Sequence, residues 1–188
     1  VPWTPERFQV KITHLADVIY AINKPDFPDI IGLSEIENEF VLKKLTEAEK
    51  ISEKGYKIIH FDSPDERGID VALLYNPVTF TVSESKPIPV NLPDNDLTRD
   101  ILYVQGTTAS GNVLHIFVNH WPSRSEGVPI SEPKRKIAAM TLKSEVDNIL
   151  KKNSRSNIVI IGDFNDEPTD NSLSNILDAQ QTEKKIRN

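Results

Sequence analysis

Three stretches of this 188-residue chain place chemically able side chains at the ends of short apolar runs. They are Ile30-Ile31-Gly32-Leu33-Ser34-Glu35-Ile36-Glu37-Asn38, Val113-Leu114-His115-Ile116-Phe117-Val118-Asn119-His120-Trp121-Pro122-Ser123 and Ile158-Val159-Ile160-Ile161-Gly162-Asp163-Phe164-Asn165. Such runs read as buried strands, and open α/β sheets bind ligands beyond the carboxyl ends of their strands. Glu35, leaving the first run, suits a hard cation such as Mg²⁺, which keeps several waters and takes one or two carboxylates. The plainer alternative makes Glu35 and Glu37 helix-start acids that complement the macrodipole. His120, between a strand and a Trp-Pro turn, can act as a general acid or hold a phosphate oxygen. It can equally be a satisfied ring packed on Trp121, and His115, inside the strand, reads as structural. Gly162 lets the chain turn sharply, and Asp163 and Asn165, two apart, point to one side in extended geometry. An Asp there can orient and deprotonate water, and an Asn amide can donate to an oxygen where charge builds. Their alternative is an Asx-turn that closes the strand.

The elements that must position these residues follow from periodicity and punctuation. Thr4-Pro5-Glu6 opens a helix with a Thr cap and Pro at its first position. Phe8, Ile12, Leu15, Ile19 and Ile22 form its stripe, and Asn23-Lys24-Pro25 stops it. Residues 38–49 read as a second helix with Val41, Leu42 and Leu45 inward. Strands are expected over 56–61, 69–75, 80–82, 101–105 and 113–119, with a hairpin at Ala109-Ser110-Gly111-Asn112. Pro87, Pro89 and Pro93 mark a connection rather than a sheet centre. A long helix over 131–152 turns Ala138, Leu142, Val146 and Ile149 to one face. The run 158–161 reads as a strand buried on both sides, and the tail from Ser172 as a short helix that ends in charge. The order implies a mixed sheet layered with helices, in one domain over residues 1–188.

Composition narrows the chemistry. The absence of cysteine excludes disulfides, thiolate catalysis and cysteine-ligated metals. A net charge of −6 speaks against a basic nucleic-acid coat protein. An acidic site can still meet an anionic substrate across a divalent cation, so an oxygen-ligated Mg²⁺, Mn²⁺ or Ca²⁺ is the expected metal. No apolar run approaches the roughly 18–20 residues of a membrane span. Val1-Pro2-Trp3-Thr4 carries no leader; a soluble protein, cytoplasmic or exported after signal removal, fits. Nothing in the sequence sets an oligomeric state.

Together the Ser34-Glu35, Asn119-His120-Trp121-Pro122-Ser123 and Gly162-Asp163-Phe164-Asn165 segments resemble, in order and spacing, the endonuclease/exonuclease/phosphatase superfamily. That superfamily includes deoxyribonuclease I, exonuclease III, inositol polyphosphate 5-phosphatases and neutral sphingomyelinases. The likeness runs from about Phe8 to Leu177. It implies a four-layer α/β sandwich, deoxyribonuclease I-like, with two packed mixed sheets flanked by helices. It also implies hydrolysis of a phosphate ester, DNA or RNA among the candidates, with a divalent cation. Carried over by position, Glu35 matches the metal ligand and His120 the histidine that contacts phosphate and assists the leaving group. Asp163 and Asn165 match the pair that positions water and stabilises the transition state. Arg99 sits where some members place a phosphate-contacting arginine. Arg124 is a second such candidate, or a solvated loop arginine. Asp70 can orient His120 by a hydrogen bond, or pair with Arg67. Two departures stand out: no strand ending in a metal-binding asparagine precedes the first helix, and no Ser-Asp-His motif closes the chain. The expectation is an internal portion of a larger protein, with terminal strands missing and weak or absent hydrolysis by these residues alone. The leading function is a nuclease-like metal-dependent phosphodiesterase. The alternatives are an inositol-phosphate or sphingomyelin-type phosphoesterase, and an inactive binding module that keeps the fold.

Overall fold

Period-two alternation in the central strands decides the architecture. The computed structural model describes residues 3–22 and 26–179. In β3 (Asp70–Tyr75) Val71 and Leu73 face one way, Ala72 and Leu74 the other. In β5 (Ile101–Thr108) the same split separates Leu102 and Val104 from Ile101 and Tyr103, and in β6 (Val113–His120) it separates Ile116 and Val118 from Phe117. Strands apolar on both faces need cover on both, and four layers supply it.

The first sheet has the order β1-β3-β2, with β1 at Ile30–Ile36 and β2 at Lys57–His60. Both flank β3 antiparallel. The second has the order β4-β5-β6-β7, with β4 at Phe80–Ile88 and β7 at Asn157–Asp163. Here β6 and β7 run parallel, joined through helix α4 (Val128–Lys152). Only this second sheet is mixed; the first is antiparallel throughout, because β3 inserts between the two strands that share a direction. Val71, Leu73, Phe80, Leu102, Val104, Ile116 and Val118 fill the space between the sheets. Helix α1 (Pro5–Ala21) covers the outer face of the first sheet with Ile12, Ala16 and Ile19, joined by α2 (Glu39–Thr46) and α3 (Glu49–Ser52). Helix α4 covers the second with Ala138, Ala139 and Leu142. The expected sandwich is therefore present, and no helix among the described residues is long and apolar enough to cross a membrane.

Local chemistry explains the element ends. Arg7 N–H donates to the Thr4 hydroxyl and Val41 N–H to Asn38 Oδ1, so both helices start on a side-chain cap. The helix expected over 38–49 is two helices, because Ala48 is extended (φ −63°, ψ 134°) and breaks the run. The stop at residues 23–25 and the charged tail from 180 lie outside the described residues. β4 runs through Pro87, tolerated because β4 is an edge strand and needs no outward N–H there. β7 corrects the reading of a strand buried on both sides: it too is an edge, and Val159 is 39% exposed.

His115 has a structural partner: its Nδ1 lies 2.8 Å from the Tyr103 hydroxyl, which donates to Gln105 Oε1 at 3.1 Å. Burial, with Glu84 and Glu145 nearby, pushes the Tyr103 phenol up to about 12. The native state thus holds this proton after an unfolded chain, at about 10, has released it. Stability from this group is full below pH 10 and is lost as pH climbs to about 12. An alkaline ultraviolet titration should show one of the four tyrosines ionising last, and Tyr103→Phe should remove that step. Leu73, fully enclosed between the sheets, gives a second check: Leu73→Ala should cost about 2–5 kcal/mol in urea unfolding.

Candidate active site

β1 and β7 each lie at an edge of their sheet, and they approach each other closely. A Cβ on Gly32 would stand 2.5 Å from Ile161 Cδ1, so only glycine allows this packing without a shift. At the carboxyl end of that seam, β1 slips register between Leu33 and Ile36, and Glu35 takes φ 60°. A bulge of this kind re-aims a side chain, here toward β6 and β7. His120 and Asp163 are partners in the parallel β6–β7 ladder, and Trp121 N–H donates to the Asp163 carbonyl at 2.9 Å. Gly162 is obligatory: with φ 132°, any Cβ would stand 2.0 Å from the Asn119 carbonyl oxygen.

These elements converge on one imidazole. His120 Nε2 lies 3.5 Å from Glu35 Oε1 and 4.0 Å from Asp163 Oδ2. The ring is 3% exposed, whereas the two carboxylates are 58% and 57% exposed. A buried donor thus forms the floor, with two solvent-open acids above it. Burial pushes the His120 pKa below its ordinary value, Arg99 and Arg67 push the same way, and Glu35 and Asp163 oppose them. Its Nδ1 finds no hydrogen-bond partner among the described residues. With both carboxylates beside Nε2, the proton of the neutral ring belongs on Nε2, where it faces the opening. Asn165 (φ 51°) completes the corner. Its N–H donates to Asp163 Oδ1 at 2.9 Å and its side-chain amide to the Trp121 carbonyl at 2.9 Å. The Asx-turn and the site are therefore one structure, and the Asn165 amide, expected from sequence to donate to an oxygen where charge builds, is used on the loop backbone instead.

Three further assignments from sequence need correction. Arg99 is not an open phosphate contact. It is 5% exposed and donates to Asp65 Oδ2 at 2.8 Å, to the His120 carbonyl at 3.0 Å and to the Trp121 carbonyl at 2.6 Å. Asp70 reaches neither His120 nor Arg67: it accepts from the Ser63 N–H at 2.8 Å and pairs with His60 Nε2 at 2.9 Å, because β2 places His60 beside it. Arg124 is committed to the third loop, donating to the Asn165 carbonyl, Asp166 and Asp170. The structure also reveals supports that sequence reading passed over. Asp65 neutralises Arg99, and buried Asp166 accepts from Arg135 at 2.6 Å and from the Ser172 hydroxyl at 2.5 Å. Arg135 carried a signal, since it shares a helix face with Ala138 and Leu142; Asp65, in a polar loop, carried none.

The Asp65–Arg99 pair is open to a direct check. Removing one partner of a buried ion pair leaves an uncompensated charge, at about 3–5 kcal/mol. Asp65→Ala should lower the stability measured by chemical denaturation by about that amount.

A family model described as Endonuclease/Exonuclease/phosphatase family matches residues 1–188. Among curated protein sequences none matches this chain. Solved structures do. Truncated Caenorhabditis elegans TDP2 is 19% identical, with a TM-score of 0.65 over 87% of this chain and 58% of that one. The human Nocturnin catalytic domain with bound sulfate anion is 22% identical, with a TM-score of 0.64 over 77% and 54%. A Bacteroides thetaiotaomicron mannosyl-6-phosphatase is 18% identical, with a TM-score of 0.66 over 90% and 61%. The chain spans little more than half the length of these structures. At such identities the likeness establishes the deoxyribonuclease I-like fold. With its sandwich and the match along its whole length, the chain belongs to the endonuclease/exonuclease/phosphatase family.

Proposed function

We propose that the cluster of Glu35, His120 and Asp163 hydrolyses a phosphate ester with the help of a divalent cation. The observation that carries this reading is the convergence of two solvent-open carboxylates on one buried imidazole nitrogen. The donor set fits a hard cation: carboxylate oxygens open to water suit Mg²⁺, with Mn²⁺ or Ca²⁺ as substitutes. Glu35 would hold the ion. Bound there, such an ion withdraws charge from phosphoryl oxygens.

The chain's own groups do the rest. His120, neutral and donating through Nε2, grips a phosphoryl oxygen and directs the reacting bond toward Asp163. Asp163, held by its ladder position opposite His120, accepts a proton from the attacking water as the ester P–O bond breaks, and the departing oxygen takes its proton from solvent water. The Asn165 side chain keeps the Trp121 carbonyl, and hence the His120 loop, in register with Asp163. Phosphoester hydrolysis is the shared chemistry of the nuclease-like and small-ester readings. The small ester is favoured, because the arginines near the site have acidic partners. Arg99 is held by Asp65, Arg124 by Asp166 and Asp170, and Arg135 by Asp166. A polynucleotide needs cations free to displace its counterions.

Calorimetric titration with Mn²⁺ should show one binding event, weakened about tenfold or more in Glu35→Gln. Turnover of p-nitrophenyl phosphate should vanish on chelation and return with Mg²⁺. His120→Ala and Asp163→Ala should each lower it by roughly two orders of magnitude while circular dichroism stays native. Near-parental turnover in either variant would sink its assigned role.

A further inference from the structure

Beside the cluster, loops 62–69, 91–99 and 121–127 border a second space, a cavity of about 200 Å³. Arg67 links the two, since it lines the cavity and its guanidinium lies 3.8 Å from Glu35 Oε1. We infer that this cavity receives the leaving group of the phosphate ester, and that the group is a neutral ring bearing several hydroxyls, a sugar or cyclic polyol. The inference rests on the reading of the neighbouring cluster as a phosphoester-hydrolysing site.

Charge argues first. Asp65, Glu66, Asp96 and Glu126 face Arg67, Arg99 and Lys134, four acids against three cations. The cations are already matched. Lys134 reaches from α4 to join two loops, with its ammonium 2.6 Å from Asp96 and 2.5 Å from Glu126. Arg99 is held by Asp65 at 2.8 Å, and Arg67 stands 3.7 Å from Asp65 and 3.8 Å from Glu35. A second phosphate, or a nucleic-acid backbone, would enter an already compensated, net acidic wall. Its entry would put like charges together in a partly desolvated space.

Shape and hydrogen bonding argue next. The apolar wall is Leu92, Leu97 and Pro122, and among the described residues no aromatic ring lines the cavity on which a base could stack. The volume lies below the roughly 300–1,000 Å³ of pockets for drug-sized ligands, which suits one ring and not a dinucleotide. Hydroxyls on adjacent carbons both donate and accept. They therefore match a wall that sets carboxylates beside an ammonium, two guanidiniums and the Ser123 and Ser125 hydroxyls. Thr98 also stands in this wall, 4% exposed, and its Oγ1 has no partner among the described residues. Sites built to hydrogen-bond a substrate hydroxyl reject analogues that lack it.

The test compares esters that share the phosphate and differ in the leaving group. With Mg²⁺ present, kcat/KM is measured for D-glucose 6-phosphate and for p-nitrophenyl phosphate, with a single-stranded oligothymidylate as competitor. The expected result is a preference for the sugar ester and no competition. Lys134→Met should cut the sugar-to-aryl ratio of kcat/KM about tenfold. Thr98→Val should cut it in the same direction, and calorimetric binding of glucose 6-phosphate should weaken in step. If p-nitrophenyl phosphate is turned over in an Asp163-dependent way but the sugar ester is no better and Lys134→Met leaves the ratio alone, the cavity's assignment is overturned and the hydrolysis reading stands. Competition by the oligothymidylate overturns it too. If neither ester is hydrolysed nor bound, both readings fall together.

Discussion

A single guanidinium holds the candidate site in place. Arg99 ties the carbonyls of His120 and Trp121 to the Asp65 carboxylate across the end of the sandwich. Those two carbonyls belong to residues just leaving β6, where the ladder with β7 is running out and the backbone needs other partners. The Trp121 carbonyl also accepts from the Asn165 amide. Two of the three chemically active segments therefore meet on one peptide group. The imidazole cannot move relative to Asp163 without breaking buried, charge-assisted hydrogen bonds.

The same economy of charge recurs around the opening. Arg135 is buried on the apolar face of α4 and tolerable there only because Asp166 is buried beside it. Asp166 also accepts from Arg124 and from the Ser172 hydroxyl, so the loop after Asp163 is fastened to α4 and to the turn at Ser172–Ile176. The arginines near the site serve as internal braces. Beside the half-exposed Arg67, two carboxylates, Glu35 and Asp163, stand open to solvent over His120, a surface that a divalent cation can neutralise.

How much of this could be read from residues alone depends on what kind of information each feature carries. The strands and the long helix were legible because burial imposes a period, as Leu102/Val104 against Ile101/Tyr103 shows. The convergence of Glu35, His120 and Asp163 was legible through spacing and family resemblance. Pair identities were not. Asp70 and Arg99 look, as text, like partners for His120 and phosphate, yet β2 supplies His60 to the one and a loop supplies Asp65 to the other. Long-range partners of this sort depend on which strands become neighbours, and no local pattern encodes that. β7 failed for a related reason: an all-apolar run signals a buried strand, but whether its outer edge is paired is a property of the sheet.

Backbone strain gives the geometry a last, independent marking. Glu35 and Asn165 both adopt left-handed backbone, at φ 60° and 51°, at about 1–2 kcal/mol each for an ordinary residue. Asn tolerates that region, and the N–H donation to Asp163 Oδ1 offsets much of the cost. Glu has no such excuse: it is neither a usual turn residue nor one that hydrogen-bonds its own backbone readily. A glycine at position 35 would relieve the strain and leave the bulge in β1 intact. The chain instead keeps a carboxylate at the one point of the bulge that faces His120. Other non-glycine residues, Phe27 among them, also take this backbone, so it is the pairing of the strained backbone with the contact to His120 that sets Glu35 apart, at the residue proposed to hold the cation.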